Sequence, residues 1–264
     1  MGHTMLDAVE PNAVILMRED VYVNALRYLQ VIDNVRPDVR VIPLDALWWP
    51  WMKELVERNV LGFVVPGKVL RQEAVEPGDF TLKQLIEANV DHAPLYISKL
   101  YPTEEQTLRG VYNGFPYGFH SRVRREGAEF GLAEVLYEAG PFINLRLPEW
   151  KTHRWESWET FVYKNYFDVK IPMAQMMVKH SKGRVDWLTA AADVYAGVAA
   201  QSADYRPLVL AQLGEIDALL SQVDDTYRLK AIQAWDELLA LHPQENEMVK
   251  KIRESLAALK SRQK

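Results

Sequence analysis

Residues 13–51, AVILMREDVYVNALRYLQVIDNVRPDVRVIPLDALWWPW, constrain the fold of this chain more than any other stretch. Ala13 to Met17 is a short continuous apolar run of the kind that forms a strand buried on both faces. Asp20 follows at a helix N-cap position, where a carboxylate accepts from the orphan N–H groups of the first turn. Val23, Leu26, Leu29 and Val31 or Ile32 then recur at helical spacing until Pro37 ends the segment. Val39 to Leu44 reads as a second strand. Asp45 is a second N-cap candidate, opening a helix with Leu47, Trp51, Leu55 and Val56 on one side. A crossover of this length is right-handed by rule, which makes the two strands parallel neighbours. The unit therefore places an acidic residue after each strand, at the edge where open parallel sheets bind ligands.

Further along, Leu61 to Val65 runs into Pro66-Gly67 and reads as a loop or short strand. Phe80-Thr81 opens a helix through Glu87, Pro94 to Leu100 is a third strand, and Tyr112 to Gly118 is a turn-rich approach to a fourth near Phe119 to Arg124. A helix is predicted from Leu132 to Glu138, with Pro141 and Pro148 bracketing an irregular stretch. From His153 the spacing turns wholly helical, with a kink or break predicted at Pro172. Four helices follow, Val185–Ala200, Arg206–Gln222, Tyr227–His242 and Glu245–Lys260. The Tyr227–Trp235 phrase closing at His242-Pro243 resembles the second helix of a tetratricopeptide repeat. The predicted architecture is α/β followed by all-α: a small parallel or mixed sheet with flanking helices over 13–140, then tetratricopeptide-like hairpins over 141–264, with residues 1–12 a tag or disordered leader.

Composition excludes several function classes. A net charge of -5 lacks the basic excess that sequence-independent nucleic-acid binding requires. The absence of cysteine removes disulfides, thiolate metal sites and thiol nucleophiles. The histidines show no metal-ligand spacing, and G-x-S-x-G, P-loop and G-x-G-x-x-G motifs are absent, so neither a metal nor a cofactor is expected. No apolar run approaches the roughly 18 residues of a membrane helix.

Two groups of residues carry what binding chemistry the sequence offers. Asp20 and Asp45, joined at the same rim by Asn24 and Tyr101, read either as helix caps or as a polar cleft for sugar hydroxyls or a peptide backbone, with Arg27 on the same helix as Asp20 and Asn24. Trp48, Trp49 and Trp51 are too dense for one core. Successive helical side chains diverge by about 100°, so at least one must be exposed or meet another surface.

The phrases Leu26-Arg27-Tyr28-Leu29-Gln30 and Val35-Arg36-Pro37-Asp38-Val39-Arg40-Val41, with Asp20 and Asn24, resemble the soluble C-terminal domain of the protein O-mannosyltransferase-like membrane glycosyltransferases, a type C class whose eukaryotic members modify plexin-type receptor domains. The Trp51-Met52-Lys53 segment with its Val65-Pro66-Gly67 exit and the Ser157-Trp158-Glu159 phrase are also similar. Glu19 departs from the glycine usual in that family, which counts against close approach of a phosphate or sugar to this turn. The resemblance implies an extramembrane domain on the periplasmic or extracytoplasmic side, with no catalysis of its own. Its partners would be the membrane-spanning transferase module of the same full-length protein and a protein or glycan acceptor. A stand-alone interaction module built on the helical half and a small soluble enzyme using the α/β cleft are the alternatives.

Overall fold

The computed structural model describes residues 2–98, 100, 102–145, 157–242, 244 and 246–261. The chain divides into two compact units, residues 1–146 and 147–264.

In the first unit, β1 (Val14–Met17) is apolar and buried at all four positions, as a strand covered on both faces must be. Helix α2 (Asp20–Val31) buries Tyr22, Val23 and Leu26, and leads to β2 (Arg40–Pro43). A 3-10 helix (Leu44–Trp48) and α3 (Trp51–Asn59) follow, then the short parallel pair β3 (Val69–Leu70) and β4 (Asp79–Phe80). Helix α4 (Leu82–Asn89) starts from a capping box between Thr81 and Gln84. Strand β5 (Leu95–Ile97), helix α5 (Pro102–Leu108) and the hairpin β6 (Tyr112–Pro116) and β7 (Ser121–Arg125) precede α6 (Leu132–Ile143). The main sheet is mixed, in the order β2-β1-β5-β7-β6, with β1 parallel to both β2 and β5 and the hairpin antiparallel.

Strand alternation sorts this sheet into two faces. Val14, Leu16, Ile42, Leu95, Ile97 and Val123 share a core with residues of α3, α4 and α5. Ile15, Tyr96 and Arg122 stand in register on the opposite face, where Arg122 reaches Glu134 and Glu138 of α6. Residues 2–7, expected as part of a leader, form helix α1 (Gly2–Asp7), which buries Met5 and Leu6 and packs on α2 and α6. The Val35-Arg36-Pro37-Asp38 phrase holds this segment down. The Arg36 guanidinium donates to the carbonyls of Leu6 (2.8 Å), Val9 (3.2 Å) and Glu10 (3.1 Å) and to both oxygens of Asp38. Asp38 also accepts from the Asn12 N–H, and the Arg36 contact holds its carboxyl far below the usual carboxylate range.

The second unit is all-helical: α7 (Trp158–Ser181), α8 (Val185–Gln201), α9 (Arg206–Leu220), α10 (Thr226–Leu241) and α11 (Glu247–Ser261), each packing on its neighbour in sequence. Two proline expectations are corrected here. Helix α7 continues through Pro172, so the predicted break does not occur there, and α6 runs through Pro141, where the sequence predicts irregular chain. Pro172 and Asp168, whose carbonyl it leaves without a helical donor, are both exposed, so water can satisfy that group. The predicted Tyr112–Gly118 turn region is mostly strand β6, and the turn itself is residues 117–120.

Asp217 of α9 is buried, and burial raises its carboxyl to about 6, with Lys230 opposing and Asp193 reinforcing the shift. The folded state thus holds this proton to higher pH than the unfolded chain, whose carboxyl titrates near 3.9. The contribution of this group to stability is fully present below about pH 4 and is lost as pH rises through about 6. Asp217→Asn is expected to remove that decline and to stabilise the helical unit at neutral pH by about 2 kcal/mol. Thermal melts across this range check it, and an unchanged decline in the variant would contradict it.

Candidate functional site

The chain leaves β1 toward α2 and β2 on one side, and leaves β5 toward α5 and the hairpin on the other. The carboxyl ends of β1 and β5 therefore flank a topological switch point, where open α/β sheets accept ligands. Arg18, the first residue past β1, is at its centre. Its N–H donates to Ser98 Oγ (3.1 Å), just past β5, and the Ser98 N–H donates back to the Leu16 carbonyl (2.9 Å). Its guanidinium donates through Nη1 to Asp45 Oδ1 (2.7 Å), beyond β2, and through Nη2 to Glu104 Oε1 in α5. The Arg18 and Glu104 side chains are 6% and 3% exposed, whereas that of Asp45 is 37% exposed. One buried cation thus carries two carboxylates, one sealed in and one facing solvent.

This arrangement corrects both cap readings. Asp45 is inside the 3-10 helix, whose N-cap is Pro43, and its carboxylate goes to Arg18. Asp20 is the first residue of α2, and Glu19 occupies the N-cap without a side-chain cap hydrogen bond. Asp20 still places a negative charge in the first turn, where the helix dipole favours it. Asp20, Asn24 and Arg27 lie along one exposed stripe of α2, and among the described residues none of them bonds to Asp45. Tyr101, the remaining cleft residue, lies outside the described residues. Trp48, Trp49 and Trp51 are all exposed, at 42%, 62% and 63%.

Arg18, Ser98 and Glu104 escaped the sequence reading. Arg18 carried a signal, because a charge abutting a fully apolar strand end must find a buried counter-charge. Glu104 carried none. Its helix is seven residues long and shows no apolar periodicity.

A second polar cluster occupies the α6 face of the sheet. Arg122 pairs with Glu10, with Glu134 (2.8 Å) and with Glu138 (2.8 Å), and Arg124 also pairs with Glu134. Tyr96 Oη donates to Glu138 Oε2 (3.2 Å). Burial raises the Glu138 carboxyl, Arg122 opposes that rise, and a hydrogen bond shared with Glu10 adds to it. His120 is fully enclosed with its ring edge-on to Tyr96, and burial lowers its imidazole to about 4, so it stays neutral. Carboxylate oxygens of Glu10, Glu134 and Glu138 come within 4.8 Å of one another, the donor set of a divalent-cation site. Arg122 already supplies the positive charge that such a trio needs.

Two hollows, of about 440 and 490 Å³, open at the other edge of the sheet, by the first residues of β1 and β5. Much of their polar lining is structural: Asp38 belongs to the Arg36 clamp, Asn89 holds the N–H and carbonyl of Val64, and Arg125 pairs with Asp91. The chemistry at the carboxyl-end rim is accordingly that of a fixed, half-open carboxylate beside exposed indoles.

Fold and site together define a three-layer α/β unit with an occupied ion-pair rim, followed by helical hairpins. No protein-family model and no solved structure matches the chain. It is 24% identical over 166 residues to Protein O-mannosyl-transferase tmem260 of Dictyostelium discoideum, a match covering 61% of this chain and 20% of that protein. It is 35% identical over 66 residues to Protein O-mannosyl-transferase TMEM260 of Mus musculus, covering 25% of this chain and 9% of that protein. The chain spans a fifth or less of the length of these curated relatives. These similarities support a distant O-mannosyltransferase-like relationship. Among the described residues no helix is long and apolar enough to cross a membrane.

Proposed function

We propose that this chain is an extramembrane domain of a membrane-embedded glycosyltransferase of the O-mannosyltransferase type, serving acceptor binding or assembly of the enzyme. The observation that carries this reading is the match to a fifth of a protein named for mannosyl transfer. The rim agrees with a role short of chemistry. Glu104 is sealed against Arg18 and Asp45 shares the same guanidinium, so the pair is not poised as a general acid and base. Its partners would be the membrane-spanning module of the same full-length protein and a protein or glycan acceptor on the extracytoplasmic side.

The purified chain is expected to show no mannosyl transfer from a lipid-linked mannose donor to acceptor polypeptide. Measurable turnover would contradict the proposal. If turnover did occur and Asp20→Asn abolished it without loss of folding, the small-enzyme alternative would take its place.

A further inference from the structure

The 3-10 helix at the rim juxtaposes two side chains in a way its sequence spacing alone does not show. A 3-10 helix has three residues per turn, so residues three apart eclipse one another. Leu44 and Leu47 form one eclipsed pair, and both are buried in the core. Asp45 and Trp48 form the other, and both are open to solvent. The indole and the carboxylate therefore stand together on the outer side of a turn that Leu44 and Leu47 anchor.

The carboxylate is held and only half used. Its Oδ1 accepts from Arg18 Nη1, and Oδ2 has no hydrogen-bond partner among the described residues. Arg18 is itself gripped from below by Glu104, so Asp45 cannot swing away without losing its cation. A fixed acceptor next to an exposed aromatic face suits a pyranose ring. The apolar C–H face of the sugar covers the indole, and an adjacent hydroxyl donates to the carboxylate. Trp49 and Trp51, within three residues of Trp48, are exposed as well.

Charge discriminates against the other common use of exposed tryptophan, a lipid interface. The Lys53 ammonium is turned to the Val65 carbonyl (2.8 Å) and toward Glu57 (3.8 Å), and over residues 45–59 the acids Asp45, Glu54 and Glu57 outnumber the bases Lys53 and Arg58. An anionic leaflet attracts segments with a basic excess, and this one has none.

We propose that Asp45 and Trp48 form a binding subsite for a neutral pyranoside, with Trp48 stacking on the ring and Asp45 Oδ2 accepting from a hydroxyl. The subsite deepens the transferase-related reading and rests on it for the choice of mannose as the sugar to test. Methyl α-mannopyranoside is titrated against the whole chain by saturation-transfer NMR, with phosphatidylcholine–phosphatidylglycerol vesicles as a parallel probe. Saturable binding of the mannoside is expected, weakened about tenfold or more by Trp48→Ala and by Asp45→Ala. Both positions are open to solvent, and the Arg18–Glu104 pair survives either change. Circular dichroism confirms the fold of each variant. No binding by the unmodified chain, or binding unchanged in either folded variant, overturns the subsite. Vesicle binding lost in Trp48→Ala without any sugar binding assigns the indole to a membrane and overturns it equally. The result is separable from the transferase reading, which is decided by the size and membrane attachment of the native protein whether or not the mannoside binds.

Discussion

Arg18→Ala is expected to destabilise the 1–146 unit by about 3–5 kcal/mol, the cost of breaking a buried ion pair by removing one member. The Glu104 carboxylate is 3% exposed and pairs with Arg18. Removing the guanidinium takes away the cation shared by Glu104 and Asp45, so the two acids repel. Asp45→Ala is the matched control. Its side chain is 37% exposed and Glu104 retains Arg18, so the change should cost no more than about 1 kcal/mol. Urea unfolding followed by hydrogen exchange of the β1 amides separates the two variants. Comparable small losses in both would mean that Arg18 is solvated, and therefore free to meet a ligand.

In the helical unit the largest effect should come from Trp235. Its side chain is 3% exposed, and its Nε1–H donates to the Ala211 carbonyl (3.4 Å) of the facing helix. Trp235→Ala removes a buried indole and leaves a cavity, at about 3–5 kcal/mol. Gly214 tests the fit from the other side. A Cβ there would overlap the Trp235 indole ring. Alanine gains about 1 kcal/mol over glycine in a helix, but overpacking a fixed ring costs about 1–3 kcal/mol or more. Gly214→Ala should therefore destabilise on balance, and adding Trp235→Phe should recover part of the loss. A stabilised Gly214→Ala protein would mean that α9 and α10 pack more loosely in solution than this close approach implies.

How far the sequence could be read depended on the range of the interactions involved. Helices α8 to α11 lie within about two residues of the apolar spacing that predicts them, because an amphipathic period is a local signal that tertiary packing reinforces. The β1-α2-β2 order is legible for the same reason. Asp45 reads as a cap because capping is judged from nearest neighbours, whereas its carboxylate answers to an arginine 27 residues away. The Arg18–Glu104 bond spans 86 residues, beyond any sequence window. Pro172 breaks a local rule at a solvent-facing position where the local penalty is small. The phrase around Arg36 and Asp38, which carries much of the resemblance, has a structural role, since it clamps the N-terminal segment to the start of β2. Similarity in that phrase therefore speaks first for shared architecture, and the binding subsite proposed at Asp45 and Trp48 lies outside it.

The most direct test of the transferase reading is made on the native protein. Cells that express it are fractionated, and an antibody against this domain reports apparent mass and partition between membrane and soluble fractions. A species much larger than this chain, released only by detergent, is the result the account predicts. A freely soluble species of about the mass of the 264-residue chain would contradict it and leave a stand-alone interaction module as the better reading.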